Sequence, residues 1–396
     1  MGAVAVVRIA LLAIAVTGVF LRPARVPAWA APVAAAAVLL AVGGIGTHAA
    51  ADAVRPLLAP LAFLLLAVPL AVMLDRLGFF SSLAALVDTG RNPLLGLWVL
   101  AAAVTTFLNL DASVVLLTPL YIRIARRRGF DPLVLALQPV LLACLASSAL
   151  PISNLTNLIA AGQYHLGVGD FVTRLGPSSA VAVAVGWWRY QRVEANGGEH
   201  AQVRDPVDPR ALRWGTPIVV FVVLGFTVGD LADIPAWAVA LAADVPLLAL
   251  TRRVRPSDFP FGAAALAVSL GVLATAAAPD LGLGALFGGS DWLAQLRVAG
   301  LAIIGADTIN NLPALLIALP EVNAHSPLLW PLLFGVNFGP VLILHGSLAG
   351  LLWRGTAAQL DVEVTAGQYS RFGLTIGLPA LLAGLAVVIG TGALLG

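Results

Sequence analysis

The chain contains no lysine, one cysteine and little charge of either sign. Its 22 basic residues are all arginine and stand against 20 acidic ones, so charged residues make up 11% of 396. A soluble globular domain carries about 25%. That shortage, beside 60% hydrophobic residues, excludes an ordinary soluble fold and predicts an all-α integral membrane protein. The single cysteine, Cys144, excludes disulfides within one chain and any cysteine-cluster metal site, and reads as a small packing residue. No Ser/His/Asp set, metal-ligand spacing or phosphate-binding loop occurs. The expectation is therefore no enzyme, no cofactor and no metal. The arginines sit in short loops, which argues against a nucleic-acid partner.

What is present is a succession of apolar runs of about 20 residues, each long enough for the hydrocarbon core. The first is followed by "RPARVPAW", not by a small-residue cleavage site, so it reads as a span. Short cytoplasmic loops are enriched in arginine. Placing Arg22/Arg25, Arg126–Arg128, Arg189–Arg213 and Arg252/Arg253/Arg255 inside predicts ten transmembrane helices. They fall at 4–21, 28–46, 56–74, 133–165 and 170–188, then at 214–230, 235–250, 259–279, 326–353 and 371–394. The stretch "LGFFSSLAALVDTG", between Arg76 and Arg91, reads as an interfacial helix.

Two further apolar blocks are not simple spans. Leu94–Ile124 begins and ends beside inside arginines and is too long for one crossing at ~1.5 Å per residue. A re-entrant helical hairpin satisfies both facts, with its tip at Asn109-Leu110-Asp111. The block 292–322 repeats the plan, with its tip at Asn310-Asn311. The spans 133–165 and 326–353 are broken helices, interrupted at "SSALPISNLTN" and "GVNFGPVLILHGS". By the arginine pattern, residues 1–190 and 214–396 are two inverted repeats joined by a cytoplasmic linker loop, 191–213, an architecture common in secondary transporters. "LNLDASVVLLTP" and "INNLPALLIALP" echo one another at Asn109/Asn310 and Pro119/Pro320.

Irregular backbone survives at membrane depth only where protein or a wet cavity satisfies it. The two tips and two breaks are therefore the candidate site. Asp111 is a candidate for proton or ion coupling, or an N-terminal helix residue satisfying backbone amides. Asp307 is a second coupling candidate, unless it reaches the outer water. Asn109, Asn310 and Asn311 suit a neutral polyol-like ligand or a desolvated cation, or serve their own turns. Ser153, Asn154 and Asn157 at the first break, and Gly346 and Ser347 at the second, are candidate substrate contacts. His345 reads as an interfacial residue at a span end. Asp244 is expected to hydrogen-bond a neighbouring helix. Trp187, Trp188, Trp214, Trp330 and Trp353 read as an aromatic belt.

At these segments the chain resembles the ArsB-type arsenite permeases of the ion transporter superfamily. The likeness rests on "LDASVVLLTP" (110–119), "SNLTNLI" (153–159), "NNLPALLIAL" (310–319) and "GP…GSLAGLLW" (339–353), in the family's order and in both halves. The resemblance implies export of arsenite or antimonite across a bacterial inner membrane by proton antiport, or by pumping with an ArsA-type ATPase. It carries over Asp111, Asn154, Asn157, Asn310, Asn311, Gly346 and Ser347. It departs at Asn337 and Val341, where those permeases have an acidic and a basic residue. The alternatives within the superfamily are a sodium-coupled carboxylate symporter and a sodium/proton antiporter. A channel or membrane scaffold would not repay four polar interruptions at depth.

Overall fold

The computed structural model describes residues 2–21, 26–88, 92–194 and 207–395, and within them every regular element is helical. The first half comprises α1 (Ala3–Leu21), α2 (Ala30–Ala41), α3 (Thr47–Val54), α4 (Leu58–Arg76), α5 (Phe79–Asp88), α6 (Pro93–Phe107), α7 (Leu110–Arg128), α8 (Pro132–Leu145), α9 (Leu155–Tyr164), α10 (Val168–Arg174) and α11 (Gly176–Glu194). The second comprises α12 (Pro209–Val228), α13 (Ala236–Thr251), α14 (Phe261–Leu281), α15 (Trp292–Ile309), α16 (Asn311–Ala318), α17 (Leu329–Phe338), α18 (Leu348–Ala358), α19 (Ala366–Phe372) and α20 (Leu378–Leu395). Arg22, Arg25, Arg91 and residues 195–206 of the expected linker lie outside the described residues.

Local chemistry starts these helices. Asn92, Asp131 and Asp208 each precede a helix that opens with proline, and each side chain accepts a bond from a first-turn amide, of Leu95, Leu133 or Arg210. Such caps satisfy amides that have no helical partner, and proline forfeits nothing at that position. Gly129, at φ 75, ends α7 in the left-handed region that glycine enters without strain.

By length and composition, five helical stretches among the described residues are able to cross a bilayer: Thr47–Arg76, Pro209–Val228, Phe261–Leu281, Trp292–Ile309 and Ala366–Gly392. Shorter apolar helices include Ala3–Val19, Pro132–Leu145 and Ala236–Thr251. The run expected at 28–46 is cut short, because α2 stops at Ala41 and the chain turns before α3. The segment read as interfacial is α5. It buries Phe79, Phe80, Ser82, Ala84 and Ala85 and packs against α6 and α12.

The larger apolar core runs through α4–α20, while α1, α2 and α14 close a smaller one around Leu12, Leu39, Leu270 and Leu273. Outward faces carry Ile14, Val245 and Ile304, all exposed. Trp188 and Trp214 are exposed, as a belt requires, but Trp330 and Trp353 are core residues. Trp353 is fully buried and donates its indole N–H to the Ala136 carbonyl at 2.7 Å. A buried indole finds its partner inside the protein, which the sequence position cannot reveal.

Candidate site at the two tips and two breaks

The helices needed for a site all begin inside the molecule. α6 and α7 meet at Leu108–Asn109, a tighter break than the expected Asn109–Asp111 tip. The Asn109 side chain accepts from the Asp111 amide at 2.8 Å, so the helix restarts at once, with Leu110 and Asp111 in its first turn. α15 and α16 meet at Asn310 alone, whose φ of 79 is unusual for a residue other than glycine. Its side chain accepts from the Leu312 amide at 3.3 Å and donates to the His345 carbonyl at 3.2 Å. A backbone bond from Asn311 to the Gly346 carbonyl (2.8 Å) ties this tip to the second break.

The two breaks end in the same way. After the 3-10 turn Pro151–Ser153, Asn154 caps α9 by accepting from the Thr156 amide at 3.2 Å. After Gly339–Val341 and an irregular stretch, Ser347 caps α18 by accepting from the Gly350 amide at 3.2 Å. The N-termini of α7, α9, α16 and α18 therefore converge. Between them lies a cavity of about 40 Å³ lined by Asp111, Asn154, Thr156, Asn310, Asn311 and Ser347, with apolar walls that include Ala263 and Leu266 of α14. Asp111 is the one charged side chain among its lining residues.

The remaining candidates stand behind this cavity. Asn109 is buried and its amide approaches the Ile152 carbonyl at 3.5 Å. Ser153 donates to the Thr106 and Leu150 carbonyls, both at 3.0 Å. Asn157 donates to the carbonyls of Ser147 (3.0 Å) and Leu150 (3.1 Å). Gly346 is fitted against Asp307. A Cβ added there would lie 2.9 Å from the Asp307 Oδ1 and from the Pro340 Cα, so only glycine fits. Asp307 is 7% exposed and its Oδ1 has no hydrogen-bond partner. It neither reaches outer water nor lines the cavity.

Two residues of this neighbourhood are not among the site candidates of the sequence reading, which noted Asn337 only as a departure from the arsenite permeases. Thr156 lines the cavity, and Asn337, 2% exposed, bonds across to the first break. An asparagine inside the apolar "LLFGVNFGP", three residues before a proline, is the signal that marks Asn337. His345 is not at a span end: it lies in the irregular stretch of the second break, where Asn310 holds its carbonyl. The Asp244 Oδ1, buried in α13, makes no bond to a neighbouring helix.

The comparisons with known proteins place the chain among membrane transporters. A family model described as citrate transporter matches residues 5–339. The arsenical pump membrane protein of Escherichia coli K12 is 26% identical over 356 residues, covering 81% of this chain and 83% of that protein. The protein of the same name from Yersinia enterocolitica shows the same figures. The magnetosome protein MamN of Magnetospirillum gryphiswaldense is 26% identical over 400 residues, covering 87% of this chain and 90% of that protein. The chain is thus a multi-pass membrane transporter, not an enzyme, and it belongs to the citrate transporter (CitMHS) family of the ion transporter superfamily.

Proposed function

We propose that the protein is a secondary active transporter that exports arsenite or antimonite across the bacterial inner membrane in exchange for protons. The observation that carries this reading is the convergence of four capped helix N-termini on one small cavity holding a single carboxylate. Helix N-termini carry partial positive charge and free N–H donors, so they favour oxygen-rich ligands. Arsenite near neutral pH is an uncharged trihydroxide. Its oxygens accept from the amides of Asn154, Asn310 and Asn311, and its hydroxyls donate to Asp111 or Ser347.

Size and charge separate this cargo from the alternative, sodium-coupled carboxylate symport, whose cargo class includes the citrate that the family description names. Citrate is several times larger than a trihydroxide and carries several negative charges. The lining offers it one like charge, Asp111, and no arginine. Asp111 in the cavity and Asp307 behind it are the carboxyls that take up and release the coupling proton, both withdrawn from bulk water. Residues 1–190 and 214–396 act as inverted repeats of a ten-span carrier with two re-entrant hairpins, joined by the loop 191–213. Alternating access then comes from moving one set of tips and breaks past the other.

Uptake of arsenite into respiring everted vesicles tests this directly, with citrate and sodium assayed beside it and Asp111→Asn in parallel. Proton-driven arsenite uptake, lost in Asp111→Asn, is the expected result. Citrate flux linked to sodium, with no arsenite uptake, sinks the proposed cargo.

A further inference from the structure

Asn337 enters the first break from the second half. Its Oδ1 accepts from the Asn154 amide at 3.0 Å and from the Thr156 hydroxyl at 2.5 Å. Its Nδ2 donates to the Ser148 hydroxyl at 3.0 Å and to the Asn157 Oδ1 at 2.7 Å. Every one of these partners belongs to the segment between α8 and the first turn of α9. Asn154 and Thr156 line the cavity, whereas Asn337 does not.

The orientation of this cluster is over-determined. Asn157 donates its own Nδ2 to two backbone carbonyls, those of Ser147 and Leu150. Its Oδ1 is thereby pointed at Asn337, and turning the amide over would abandon both carbonyls. An acceptor held 2.7 Å from Asn337 requires a donor there. On the opposite side, the Asn154 amide can only donate toward Asn337, because its own Oδ1 is committed to the Thr156 backbone. The position therefore needs a donor on one side and an acceptor on the other, without charge. An ionised carboxylate would set two acceptors against each other in a site shut off from water, where nothing compensates.

We infer that Asn337 is a positioning residue of the second half that sets the ligand-facing wall, Asn154 and Thr156, by presenting an N–H donor to Asn157 and a carbonyl to Asn154 and Thr156. It acts through these residues and does not touch the ligand. The first-half wall of the cavity is in consequence registered to α17, so the first half's contribution to binding depends on the second. The inference rests on the transport reading for its activity readout only.

Asn337→Asp is the decisive variant, since it is isosteric and supplies a donor only while protonated. The other titratable groups on the helices packed against α17 are Asp307 and Arg297 on α15, Cys144 on α8, Tyr164 on α9, and Asp170 and Arg174 on α10, whose Phe171 meets Trp330, while α16 and α20 carry none. Reading the variant against wild type at the same pH cancels their titration. Arsenite uptake into everted vesicles is measured at about pH 5.5 and about pH 8, on either side of the range to which burial moves a carboxyl. The expected result is uptake close to wild type at the lower pH and a loss of roughly tenfold or more at the higher, seen as a raised KM. Asn337→Leu, with neither donor nor acceptor, is expected to be low at both. Equal uptake by Asn337→Asp and wild type at both pH values overturns the inference, and so does an equal loss at both. If wild type takes up no arsenite, the transport reading fails and Asn337 is judged by thermal unfolding of the detergent-purified chain. A melting midpoint of Asn337→Asp that falls relative to wild type as pH rises supports the positioning role, and parallel pH curves overturn it.

Discussion

The two halves satisfy their unwound backbone by different chemistry. At the first break, side-chain amides and hydroxyls do so: Ser153, Asn154 and Asn157 hold the local turns, and Asn337 closes the cluster. At the second, Asn310 and Ser347 supply one side-chain bond each, and backbone meets backbone. Asn311 donates to the Gly346 carbonyl, and Gly346 and Gly350 allow approaches that no Cβ would tolerate. A π-helical turn, Gly373–Gly377, lays two further glycines against Val341 and Leu342. An amide cluster is directional and depends on hydrogen-bond sense, whereas glycine packing is steric. The carboxylates differ as well. Asp111 follows its tip and faces the cavity, while Asp307 precedes its tip and lies behind it.

The sharpest way to break this comparison is to add one methyl group to the second half. A Cβ at Gly350 would stand 2.2 Å from the Leu344 carbonyl oxygen, a backbone atom that cannot swing away. Gly350→Ala is expected to lower stability by about 3 kcal/mol, the upper end of overpacking costs. Gly346→Ala, with its nearest atoms at 2.9 Å, is expected to cost less. Thermal unfolding in detergent reads both, and a wild-type midpoint for Gly350→Ala would remove the steric account. In the first half, Asn157→Ala removes the side-chain donor of the Ser147 carbonyl and the acceptor of one Asn337 N–H, while Ser153 still serves Leu150 and Ser148 still serves Asn337. About 2 kcal/mol is expected there, together with weakened arsenite uptake.

Smaller effects belong to the bonds that join the halves at their rims. Tyr164, at the end of α9, donates to the Leu319 and Val322 carbonyls, each at 2.6 Å, sharing one proton between them. Tyr164→Phe is expected to cost about 1 kcal/mol, measured by the same unfolding assay. Arg76 forms a bidentate pair with Asp258 at 2.7 and 2.8 Å and donates to the Arg253 carbonyl. The hydrogen bonds from Arg76 hold the Asp258 carboxyl below its ordinary value, although partial burial opposes them. A lowered folded-state value stabilises the protein above the unfolded carboxyl value of about 4, and that contribution is lost as pH falls through the lower folded value. Arg76→Gln is therefore expected to cost about 1 kcal/mol or less at neutral pH. Its deficit against wild type should shrink as the medium is acidified, and a deficit that stays constant to low pH would show that the pair is not its source.

Much of the site could be read from short stretches. Asn109 and Asn310 at helix breaks, Asn154 and Ser347 opening the helices that follow, and Asp111 in a first turn are local patterns with local causes. A polar cap before an apolar run means a helix start wherever the run ends up. What could not be read is which way those starts face. Asp307 and Asp111 are both carboxylates within three residues of a tip asparagine, yet one lines the cavity and the other is shut behind Gly346. Trp353 and Trp188 sit near the ends of apolar runs, yet one is core and the other exposed.

The sequence by itself determined that this chain is apolar, helical and interrupted at four polar points, because charge content, run length and capping residues act over a few residues each. Tertiary structure alone decided that the four helix N-termini share one cavity and that Asn337 meets Asn154 across 183 positions. Such a contact leaves no periodic trace in the chain. It exists because two buried amides, each unable to find water, satisfy one another only when the halves are packed together.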